Sequence, residues 1–154
     1  MRLPQLAWRF IFWNWQSRRQ LGRTKRTDNE VRQVAFSPDG RQFAAAHGDD
    51  TVRVYEPASG RELVTLGRFK QSAAAVAFSP DGRTLAVGIS GGAVELVNLA
   101  THRRAATLAR EHNNADTPRW LEFTADSRAL VGCDNVGTIH RWLAPSFDET
   151  DQLP

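Results

Sequence analysis

The sequence predicts an all-β fold built from repeated units of four short strands. The stretch Phe36-Ser37-Pro38-Asp39-Gly40 returns as Phe78-Ser79-Pro80-Asp81-Gly82 and, in worn form, as Phe123-Thr124-Ala125-Asp126-Ser127, at spacings of 42 and 45 residues. A period of this length marks an array of like units, none able to bury its apolar faces alone. Turn residues recur within each unit at the close spacing of all-β chains. Runs such as Ala73–Phe78 and 84–87 are apolar on both faces, as strands sandwiched between neighbouring sheets should be.

Residues 1–8 read as an N-terminal extension and 9–30 as part of a unit with a linker. The opening MRLPQLAWRFIFWNWQSRR fails as a secretory signal, because Pro4 and Arg9 interrupt the apolar run and no small-residue cleavage site follows. As an interfacial helix it would place Leu3, Leu6, Phe10 and Trp13 on one face between arginines. A shift of 42 residues instead sets Phe12 on Val54, Trp13 on Tyr55, Arg19 on Arg61 and Leu21 on Leu63. Strands over 9–14 and 20–24 then form the back half of a unit, a reading that aromatic enrichment favours.

The first complete unit, 31–72, opens with a partly alternating strand over 31–37. Pro38-Asp39-Gly40 turns it, since Pro presets φ and Gly accepts positive φ. Strands follow over 42–47, 51–56 and 62–66, separated by Gly48-Asp49-Asp50 and by 57–60. The second unit with its connection, 73–117, repeats the order, with Gly91-Gly92 as a tight-turn pair. The third, 118–143, has strands over 119–124, 129–133 and 138–143 and lacks a fourth. Residues 144–154 carry Pro145, Pro154, Asp148, Glu149 and Asp151 and read as an acidic tail.

The order Val-x-x-Val-x-Phe-Ser-Pro-Asp-Gly, a small-residue strand, then Asp-x-Thr-Val-x-Val-Tyr resembles a WD repeat (WD40), the blade of β-propellers. From Phe36 to Thr51, Phe78 to Ala93 and Phe123 to Thr138 the distance is always 15. The Trp position of that family is filled by Tyr55, Val97 and Trp142. The resemblance implies an incomplete, open-arc propeller: about three antiparallel four-stranded blades plus a partial N-terminal one. It also exposes departures. The network His is replaced by Thr27, Phe69 and Asn114, the strand Ser/Thr by Ala45, Val87 and Gly132, and the turn Asp survives as Asp49 but becomes Gly91 and Val136. Packing must therefore supply most of the cohesion, at about 25 cal/mol per Å² of apolar area.

A WD-repeat resemblance implies a non-catalytic scaffold for protein–protein interaction. Its partner face is made by the connections before the first strand and between the second and third. Carried over, that face holds Arg32, His47, Asp49, Asp50, Arg68, Phe69, Lys70, His112 and Arg119. Phe69 is the expected anchor, an aromatic ring in a loop with no evident core to fill. The open arc leaves unpaired strand edges, so self-association is a second expectation: residues 20–24 of another copy would supply the missing fourth strand of the third unit.

Composition limits the alternatives. At 154 residues the chain reads as one domain, with 41% hydrophobic and 24% charged residues, ordinary for a soluble protein. One cysteine, Cys133, excludes an internal disulfide and fits a cytoplasmic protein. The net charge of +3 is unevenly placed: residues 1–30 carry seven bases and two acids, the rest 13 bases and 15 acids. With Trp8, Trp13 and Trp15 nearby, the basic start could serve nucleic acid or a membrane surface; packing between blades is the preferred account, so neither is an expected partner. A fragment of a larger multidomain WD-repeat protein is the remaining alternative. His47-Gly48-Asp49-Asp50 is rejected as a metal cluster, since adjacent side chains on a tight turn seldom converge. Glu111, His112 and Asp116 lack a nucleophile held by rigid neighbours. No nucleophile elbow, zinc-protease, phosphate-loop or paired-Cys spacing occurs, so no enzyme and no cofactor is expected.

Overall fold

A computed structural model describes residues 9–24, 30–69, 71–108 and 116–143. The readings of 1–8 and 144–154, and the placements of Lys70 and His112, lie outside the described residues, as does the side chain of Arg68. Strands β1 (Ile11–Asn14) and β2 (Arg19–Arg23) pair antiparallel as a two-stranded sheet. A four-stranded meander follows: β3 (Val31–Phe36), β4 (Phe43–His47), β5 (Thr51–Glu56) and β6 (Arg61–Arg68). It is repeated by β7 (Ala73–Phe78), β8 (Thr84–Ile89), β9 (Val94–Asn98) and β10 (Arg103–Leu108). The last sheet is three-stranded: β11 (Pro118–Phe123), β12 (Ala129–Asp134) and β13 (Ile139–Leu143). Among the described residues no helix occurs, and none long and apolar enough to cross a membrane.

Three identical turns explain why the repeated pentapeptide sits where it does. In each, a hydroxyl bonds the Asp two residues on: Ser37 to Asp39 at 2.6 Å, Ser79 to Asp81 at 2.5 Å and Thr124 to Asp126 at 2.6 Å. The same carboxylate accepts the backbone N–H of Arg41, Arg83 or Arg128 at 3.0 Å. Those hydroxyls, and then those N–H groups, hold the three carboxyls below the usual carboxylate range. Gly40 and Gly82 adopt φ of 68°, and Ser127 accepts 58° where the third unit has no glycine.

The sheets stack face to face with their first strands inward: β7 lies against β3 on one side and β11 on the other. Every residue of β7 is buried for that reason, while β10, the outermost strand of the same sheet, is almost wholly exposed. Phe69, Val76, Phe78, Leu85 and Val87 close on Val52 and Val54 of the preceding sheet. Leu121 and Leu130, with Phe123 and Trp142, close on Ala75, Ala77 and Val94. Phe10 and Phe12 close on Phe43 and Tyr55. The two-stranded sheet covers only the outer part of its neighbour. Val34 and Phe36 are accordingly 41% and 56% exposed, whereas their counterparts 42 residues on, Val76 and Phe78, are 1% and 8%.

Candidate interaction face

The connections between second and third strands, and those leading into the first strands, gather at one rim near the inward strands. Arg32 of β3 reaches across to the next sheet, donating to the Ser72 hydroxyl and, at 3.1 Å, to the Ala73 carbonyl. Ser72 donates to Asp50 Oδ1 at 2.7 Å, and the Phe69 N–H bonds the Asp50 carbonyl at 3.0 Å. From the next residue of β3, the Gln33 carboxamide oxygen accepts the Val76 N–H at 2.7 Å. On the third unit the Thr117 N–H donates to Asn135 Oδ1 at 2.9 Å. These groups fix the loops that border a cleft of about 370 Å³, whose wall includes Glu30, Arg32, Ser72, Ser90, Thr117, Arg119 and Asn135. Two arginines at a polar, partly open cleft can receive carboxylates or backbone carbonyls of a partner.

Three residues expected on the face are otherwise engaged. Phe69 is buried and belongs to the cluster between the first and second four-stranded sheets, with Val52, Val87 and Ile89. Its loop does have a core to fill: the wedge-shaped gap between fanned sheets, which no local sequence pattern reveals. His47 is fully buried, with Nε2 3.1 Å from the Tyr55 hydroxyl and Nδ1 without a hydrogen-bond partner. Asp49 is a turn residue. Its Oδ1 accepts the Thr51 hydroxyl at 2.6 Å and its Oδ2 pairs with Arg53 at 2.6 Å. Burial alone would raise its pKa, but the Thr51 hydroxyl and the Arg53 guanidinium prevail and hold the carboxyl below the usual range. Arg32, Asp50 and Arg119 remain at the rim.

The third unit also differs from its alignment. Val136, set at the turn position by the constant spacing, is 64% exposed. The turn acid is Asp134, two residues earlier and buried, whose Oδ1 accepts the N–H groups of Val136 and Thr138 at 3.0 and 2.8 Å. Its Oδ2 lies 2.9 Å from His140 Nε2. The sequence Asp-Asn-x-Gly, with Gly137 at φ 89°, was the available sign of such a turn. Among the described residues no group of three or more His, Cys, Asp or Glu is arranged to hold a metal ion.

His47 carries a pH prediction. Burial, and then the nearby Arg53 charge, lowers its pKa below the usual 6.5. The unfolded chain therefore binds a proton that the folded chain refuses, and stability falls as pH drops through the unfolded value. In denaturant titrations from pH 7.5 to 5, the His47→Leu chain should lose less stability than the parent. Parallel profiles would refute a buried neutral His47.

Consecutive four-stranded meanders, fanned with their first strands inward and not closed into a ring, define an open arc of propeller blades. The family model described as WD domain, G-beta repeat, matches residues 18–56, from just before β2 to the end of β5. The match covers 39 of the 154 residues and straddles two sheets: it begins on the outer strand of the partial blade and ends on the third strand of the next. No curated protein matches the chain.

Proposed function

We propose that this protein is a non-catalytic WD-repeat scaffold that captures another protein on the rim bearing Arg32, Asp50 and Arg119. The observation that carries this reading is the cleft of about 370 Å³, bordered by residues of all three larger sheets and held open by the Arg32–Ser72–Asp50 chain of hydrogen bonds. WD-repeat domains serve in general as interaction platforms, and arginines are common anchors of interfaces. The single cysteine suits a reducing compartment, and the cytoplasm is the proposed location.

The test is a charge reversal at the rim. Arg119 is exposed and makes no described contact with the core, so Arg119→Glu should leave the unfolding midpoint unchanged. Partners recovered with the tagged parent chain and identified by cross-linking should be lost about tenfold or more with the variant, as for a central interface arginine. Equal recovery of the same partners, or cross-links confined to residues away from the cleft, would refute the rim as the binding face.

A further inference from the structure

The chain shows twice what covers the leading face of one of its sheets. Val52, Val94 and Ile139 stand at the same place in successive units, 42 and 45 residues apart. Val52 is 0% exposed because the second four-stranded sheet lies on it, and Val94 is 0% exposed because the three-stranded sheet does. Ile139 is 73% exposed. Beside it on the same face of that sheet stand Trp120 and Leu143, at 41% and 65%. Glu122 and Arg141 are exposed charged neighbours on this face, where the second unit has Ala77 and Leu96.

The trailing faces form a matching series. Tyr55, Val97 and Trp142 occupy one position of the unit, and each points back into a cluster with the preceding sheet. Trp13 occupies that position in the two-stranded sheet and is 61% exposed, with Ile11 at 49% and Leu21 at 54%. One end of the arc thus presents a leading face without its trailing partner, and the other end the reverse. Charge has the matching sign: Arg18, Arg19 and Arg23 border the Trp13 face, while Asp148, Glu149 and Asp151 follow β13 in sequence without a base among 144–154.

We infer that a second copy of this chain seats the Trp13 face of its β1–β2 sheet on the Ile139 face of the three-stranded sheet, continuing the internal stacking across molecules. Two copies do this reciprocally, as a two-fold axis requires. Among the described residues each brings four sheets, and together these reach the upper end of the range, about 4–8 blades, at which propellers close. The contact is face to face. It leaves β2 paired with β1, unlike the donation of residues 20–24 to a neighbouring sheet edge. The inference rests on blade packing alone and is independent of the rim reading.

Sedimentation equilibrium of the full 154-residue chain tests it. The parent should form dimers at micromolar concentration. Trp13→Asp and Ile139→Asp, both at exposed positions and hence harmless to the fold of the single chain, should each weaken association by about tenfold or more. An equimolar mixture of the two variants should then recover a one-to-one species, because one unaltered Trp13 face meets one unaltered Ile139 face. A parent that stays monomeric at 100 micromolar (roughly the weak end of specific association), a dimer that survives both substitutions, or variants that fail to rescue each other would overturn the inference. Partner capture at Arg119 is read separately, so either proposal can fail alone.

Discussion

Phe43→Ala should lower the unfolding free energy by about 3–5 kcal/mol, the range for removing a buried aromatic ring. Phe43 is 1% exposed, and its ring is the meeting point of two sheets. It stacks on Tyr55 at 4.9 Å with 16° between planes, meets Phe10 edge-on at 4.9 Å and Phe12 at 4.9 Å. Removing it empties the middle of the cluster that holds the two-stranded sheet, and a hairpin of two strands is marginal by itself in water. Two readouts follow from that. The denaturation midpoint should fall, and amide exchange should accelerate first in β1 and β2, whose only large described apolar contact is with Phe43 and Tyr55. Phe36 is the internal control. It lies 5.8 Å from the same ring but is 56% exposed, so its alanine variant should lose well under half as much. A Phe43→Ala loss below about 1 kcal/mol, the scale of ordinary surface changes, would mean that the partial blade does not dock as described.

Much of this fold is legible residue by residue. The hydroxyl–Asp–backbone turn is written in Ser37-Pro38-Asp39-Gly40 and its copies, because each bond is local and closes within five residues. The burial of β7 is legible too: six consecutive apolar residues have no solvent face to offer. What escapes the sequence is set by contacts between units. Phe69 sits in a connection, and only the gap between two fanned sheets gives it a core. His47 ends a strand beside a polar turn, yet the Tyr55 hydroxyl and the neighbouring Phe10 ring enclose it. Asp134 escaped because the fixed spacing of 15 from Phe123 to Thr138 sets the turn acid two residues before Thr138, at Val136, whereas the turn starts its hydrogen bonding at Asp134, two residues earlier still. The rim was legible only through the WD-repeat resemblance, since loops 40 residues apart converge there by stacking alone.

Gly60→Ala should cost about 2–5 kcal/mol, which combines a left-handed backbone for a residue with a Cβ, about 1–2, with overpacking, about 1–3. The turn between β5 and β6 demands positive φ at this place in every unit that shows it: Arg18 takes 52°, Gly60 70° and His102 54°. Arg18 and His102 are exposed and bear their side chains in open solvent. Gly60 is buried, and a Cβ there would overlap the Arg23 carbonyl and lie 2.8 Å from the Thr24 nitrogen. The approach is mutual, since a Cβ on Gly22 would come within 2.9 Å of the Ala58 carbonyl oxygen and 3.0 Å of that of Pro57. Two stretches of backbone therefore touch, and backbone cannot swing aside as a lysine would. Gly40→Ala supplies the comparison: φ is 68°, but nothing lies within 4 Å of the added methyl, so only the conformational part applies. The excess of Gly60→Ala over Gly40→Ala in urea titrations measures the contact of β2 with the 57–60 turn. Equal losses at the two glycines would show that the partial blade does not press on that turn, and with it the docking inferred from Phe43 would fall.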